Sequence, residues 1–98
     1  MEHVYEDCPE LHLVDALIEN HYLKGDYKTC FRGCMKLALK GYALAECQVG
    51  WFYLKGEGVE QNLEKALYWT KRALHHGDPD APENLEDIQR LLKSKSIS

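Results

Sequence analysis

The residues able to do chemistry in this 98-residue chain are four cysteines, five histidines and an excess of carboxylates, 16 Asp and Glu against 12 Lys and Arg. Cys30 and Cys34 stand one helical turn apart, so their thiols share a helix face. A zinc site would want a second close pair, but Cys8 and Cys47 are isolated, and the pattern suits small buried core thiols better than a metal centre. His75 and His76 fall where a helix is expected to close, and a cation there complements the helix dipole. Neither has a ligand partner within reach along the chain. Glu57, Glu60, Glu64, Glu83, Glu86 and Asp87 suit solvated faces and helix N-termini, without the pairing that acid–base catalysis uses. No serine–histidine–aspartate set, phosphate loop or dinucleotide fingerprint occurs. The chain reads as a non-enzyme with no cofactor.

Composition narrows the partners. A net charge of −4 with no basic cluster argues against nucleic acid. No apolar run reaches the roughly 18 residues a membrane span needs. The acidic start, MEHVYEDCPE, lacks the apolar stretch of a secretory leader, so cytoplasm is the expected compartment. The three prolines, Pro9, Pro79 and Pro82, leave the long interval between the first two open to helix, and no stretch alternates with period two. The expected class is all-α.

Whatever these residues do, helices must position them, and the helices repeat. Tyr22, Leu23 and Gly25 match Tyr53, Leu54 and Gly56 at a shift of 31, while Gly41 meets Gly77 and Ala45 meets Ala81 at a shift of 36. The five extra residues fall in one loop, where GEGVEQNLE replaces GDYK. Periods in the thirties mark arrays of helix-turn-helix units. Apolar spacing predicts a first helix over about Glu10 to Lys24, with Leu11, Val14, Leu17, Ile18 and Tyr22 on one face. A second, Tyr27 to Lys40, carries Tyr27, Cys30, Cys34, Leu37 and Ala38 on its stripe. The third, Leu44 to Lys55, carries Val49, Phe52 and Tyr53. The fourth, Leu63 to His76, turns Leu63, Ala66, Leu67, Trp69, Ala73 and Leu74 inward, with Asn62 as its cap. The fifth runs from Ala81 to about Lys93 with Leu85, Ile88 and Leu92 on one face, after Asp78 or Asp80 as cap, and SKSIS is expected to fray.

The segment AECQVGWFYLKGEGVEQNLEKALYWTKRALHHGDPDA, residues 45–81, resembles one complete Sel-one-like repeat, a branch of the tetratricopeptide superfamily. The family pattern falls on Ala45, Val49-Gly50, Tyr53, Gly56-Glu57-Gly58-Val59, Lys65-Ala66, Trp69, Ala73 and Gly77. The preceding repeat is degenerate, with Glu19 in the frame of Gly50, and the last helix resembles half a repeat, with Gln89 at the tyrosine position. The resemblance divides the chain into a lead-in at 1–9, a degenerate repeat at 10–42, a full repeat at 43–80, a capping helix at 81–93 and a tail at 94–98. It implies a short α-solenoid of about five helices, stacked right-handedly, in which Gly50, Ala66 and Ala73 permit a close crossing that Tyr53 and Trp69 fill out. Cysteine-rich relatives carry disulfides between helices, and that possibility attaches to these four cysteines through the resemblance alone.

The same resemblance assigns a binding face. Arrays of this kind leave open the side chains of each repeat's first helix that do not pack on the second. Here these are Leu44, Cys47, Trp51, Leu54 and Lys55, with Leu13, Ala16, Asn20, Leu23 and Lys24 from the first repeat and Glu83, Asp87 and Arg90 from the cap. Trp51 is the expected anchor, unless a neighbouring repeat or the cap covers it. The implied function is protein–protein interaction, as a small bacterial adaptor or inhibitor, with a homodimer as another use of the groove. The competing implication is a cysteine-containing hydrolase or cell-wall-directed protein like the beta-lactamase-like relatives.

Overall fold

Turn chemistry sets where the chain stops being helical. The structure, a computed structural model, describes residues 9–97, with side chains from 12 to 95. Among these residues are five α-helices and no strand: α1 (Pro9–Asn20), α2 (Tyr27–Leu39), α3 (Ala43–Lys55), α4 (Leu63–His75) and α5 (Ala81–Ile97). Gly56 ends α3 in the left-handed region, φ 72°, returning its N–H to Phe52 O at 2.8 Å. Asp26 opens α2 by accepting from the Thr29 N–H at 3.3 Å, and Asn62 opens α4 by accepting from the Lys65 N–H at 3.0 Å.

Two boundaries differ from the sequence expectation by more than one residue. The first helix ends at Asn20 rather than Lys24, and Tyr22–Lys24 forms a 3-10 turn closed by Gly25. The tighter turn rotates each side chain away from the α-helical register. At the other end, α5 continues through the expected tail to Ile97, because no glycine or proline follows Pro82 to stop it.

Helices α3 and α4 make the most extensive contact, an antiparallel pair. A Cβ at Gly50 would run into Thr70 Oγ1 and stand 3.2 Å from both Ala66 O and Thr70 N, so only glycine lets the helices cross this closely. Ala66 and Ala73, opposite, are fully buried. Phe52 is the largest fully buried side chain, meeting Phe31 edge-on at 5.7 Å and Tyr22 at 5.9 Å. Around it lie Val14, Cys30, Cys34, Val49, Tyr53, Leu63 and Ile88, one core drawn from all five helices. On α4 the inward stripe is Leu63, Ala66, Thr70 and Ala73; Leu74, expected inside, is 40% exposed one step off that stripe.

Successive helices pack on one another, α2 on α3 and α4 on α5, and α3 also makes smaller contacts with α1 on one side and α5 on the other, whereas α2 and α4 do not meet. The result is an inner row of α1, α3 and α5 and a splayed outer row, within extents of 45 × 31 × 20 Å. The inner row is the surface on which a site can form.

Candidate partner-binding groove

Two recesses follow the valley between α3 and α5. The first, about 380 Å³, is lined by Cys47, Gln48 and Trp51 of α3, by Asp80, Glu83 and Asn84 at the start of α5, and by Ile18 and Tyr22 from the first repeat. The second, about 390 Å³, lies further along the same helices between Leu54, Lys55, Gln61, Asp87, Arg90 and Leu91. Residue numbers rise together on both walls, so α3 and α5 run parallel and the recesses form one line. Trp51 is half-buried, its ring 5.6 Å from Tyr22 and 5.7 Å from Phe52.

The tertiary packing holds this surface in place. The Tyr22 hydroxyl donates to Glu57 Oε1 at 2.7 Å, tying the first repeat to the turn after α3. Burial and the Glu57 carboxylate push the Tyr22 phenol up, so it keeps its proton. At the groove floor Cys47 is 3% exposed, with Asn84 Nδ2 3.2 Å from its sulfur. Burial first, and then Asp78, push its thiol up. A protonated buried thiol is a poor nucleophile. Asp78 itself is 5% exposed; burial raises its carboxyl, which accepts from the Asp80 N–H at 3.0 Å.

The expected face divides on the structure. Cys47, Trp51, Leu54 and Lys55 on α3, and Glu83, Asp87 and Arg90 on α5, all line the valley. Cys47 and Leu54, however, are buried in its floor rather than open, and Leu44 is half-buried against the core. Leu23 and Lys24 miss the recess: the 3-10 turn faces Tyr22 to Trp51 and leaves Leu23 70% exposed. Leu13, Ala16 and Asn20 also lie elsewhere, around a shallow depression against Gly33, Lys36 and Leu37 of α2 and Lys40 just after it.

Sequence reasoning missed Glu46. It is fully buried on α3, 3.2 Å from Arg72 Nε and 2.7 Å from His76 Nδ1, so His76 does have a partner, thirty residues away. Arg72 also lies 5.7 Å over the Trp69 ring. The only hint was its place one residue after Ala45, on the helix face that α4 covers. Cys30, Cys34 and Cys47 are free and buried; Cys8 lies outside the described residues. Among the described residues no three His, Cys, Asp or Glu gather as a metal site would require, and no helix is long and apolar enough to cross a membrane.

Residues 43–78, from the start of α3 to just past α4, match the Sel1 repeat family. The chain carries a Sel1 repeat. With the helix pair before it and α5 after it, the described residues form a small all-α solenoid around that repeat. No curated protein and no solved structure matches the chain. Sel1 repeats generally serve as protein-binding modules, and the Sel1 repeat here contributes the α3 wall of the valley.

Proposed function

We propose that this protein binds a segment of another protein along the valley between α3 and α5, with Trp51 as the anchor and Cys47, Leu54 and Lys55 lining the seat. The observation that carries this reading is the half-buried indole at the edge of a recess of about 380 Å³, on the row of helices the solenoid leaves uncovered. Large aromatic side chains held by a rigid core are the usual hot spots of interfaces. Leu23 and Lys24, exposed beside Tyr22, extend the surface at its first-repeat end, and Leu44, half-buried against the core one turn before Cys47, extends it along α3. One groove on a two-pair solenoid is the equipment of an adaptor or inhibitor acting on a single partner, in a bacterial cytoplasm, rather than of a hydrolase.

The test uses peptides selected from a displayed random dodecamer library against the full chain. Trp51→Ala should weaken them about thirtyfold, the equivalent of about 2 kcal/mol, while the melting midpoint and oligomeric state stay close to wild type. A collapse in stability with binding lost only in proportion would return Trp51 to the core. Loss of dimerisation instead would make the groove a contact between two copies.

A further inference from the structure

The chemistry of the groove points to the kind of segment it takes. Of the eight residues lining the first recess, the two charged ones are Asp80 and Glu83, both exposed carboxylates, and none is Lys, Arg or His. Neither carboxylate is paired with a described cation: the ion pairs nearby are Glu46 with Arg72 and His76, behind α3, and Asp87 with Arg90, further down α5. The rings of Tyr22 and Trp51 line the rest of the recess. The hydroxyl of Tyr22 is already engaged by Glu57, which fixes its ring beside Trp51 at a centroid separation of 5.6 Å. Unpaired carboxylates on one wall and aromatic rings on the other suit an organic cation, attracted by charge on one side and by the ring quadrupole on the other.

We infer that the first recess receives a lysine or arginine side chain from an extended partner segment, with an apolar neighbour on the Ile18 side. This rests on the peptide-binding reading above and names the class of peptide. A recess of about 380 Å³ holds one or two side chains, not a folded surface. A bare metal ion does not suit it, since no group of three metal-ligating side chains occurs among the described residues. Phosphate-bearing partners are repelled by the same carboxylates. The rival role for Asp80 and Glu83 is to complement the α5 dipole, which would make them matter for stability and not for ligand choice.

The experiment compares selected dodecamers, fluorescein-labelled, with versions carrying Gln at every Lys and Arg, on wild type, Trp51→Ala and the double variant Asp80→Asn, Glu83→Gln. The double variant keeps side-chain size and capping capacity. Selection should enrich Lys or Arg beside aliphatic residues, and the Gln versions should bind about five- to tenfold more weakly. In the double variant that difference should vanish at unchanged melting midpoint. Peptides that need Trp51 yet show no preference for Lys or Arg, or that ignore the double variant, overturn the cation inference and leave the groove standing. If no selected peptide responds to Trp51→Ala, the groove reading fails, and this inference with it.

Discussion

A methyl group at position 50 has nowhere to go. Alanine there would gain about 1 kcal/mol in helix propensity, yet its Cβ would overlap Thr70 Oγ1 and press on the α4 backbone. Overpacking of that kind costs about 1–3 kcal/mol, so Gly50→Ala should unfold at lower urea than wild type. The Thr70 hydroxyl is buried with no hydrogen-bond partner. Thr70→Ala should therefore recover part of the loss when combined with Gly50→Ala; Gly50→Ala melting at or above wild type would refute the crossing. Asp78 offers a pH test. Burial raises its folded pKa above the unfolded value, so the folded state binds the extra proton. Its stabilising contribution is full below the ordinary carboxylate range near about pH 4, and it declines as pH rises through the folded value. Thermal midpoints of Asp78→Asn should gain on wild type as pH rises from about 4 toward neutrality; a constant difference would mean that Asp78 is not desolvated.

Between helices, the end of each loop and the start of the next element decide the geometry. Asn62 is the cap of α4, and Asn62→Ala should cost about 1 kcal/mol while Asn62→Asp is nearly silent, read by urea denaturation. Equal losses for the two would show that packing, not capping, fixes that position. The turn before α4 is held from both sides: Gln61 Nε2 donates to Leu54 O at 2.9 Å, and Tyr22 bonds Glu57. A Cβ at Gly58 would stand 2.6 Å from Tyr27 O, so the long turn of the second pair also butts against the start of α2. The loop insertion that distinguishes the second repeat from the first is thus a structural joint. Glu46 serves the other end of the pair, pinning the last turn of α4 through Arg72 and His76.

For the molecule as a whole, α5 belongs to the core rather than merely shielding it. Ile88 is fully buried, and Ala81 packs with Cys47 and Ala73 in a second small cluster. Ile88→Ala should destabilise the entire chain by about 2–4 kcal/mol. Unfolding followed by the fluorescence of Trp51 and Trp69 should coincide with loss of helix by circular dichroism. A fluorescence transition that ignores Ile88→Ala would show α5 opening on its own. One cooperative unit is the expectation because a single helix pair of a solenoid cannot bury both of its faces.

Much of this architecture was open to reading residue by residue, since glycine stops, caps and a 3.6-residue apolar period are local properties of a chain. Gly50, the Ala66–Ala73 spacing and the Phe52-Tyr53 core follow from the repeat. Helix ends were less legible: the 3-10 turn that sends Leu23 and Lys24 to solvent depends on Tyr22 finding Trp51, Phe52 and Glu57 some thirty residues away. Burial of polar groups was not legible at all. Nothing local marks Glu46, Cys47 or Asp78 as buried: Glu46 meets Arg72 and His76, Cys47 meets Asn84, and Asp78 is enclosed in the turn between α4 and α5. Local periodicity says which face of a helix is apolar; only the crossing of helices distant in sequence says which charges lose their water, and here that is also what shapes the groove.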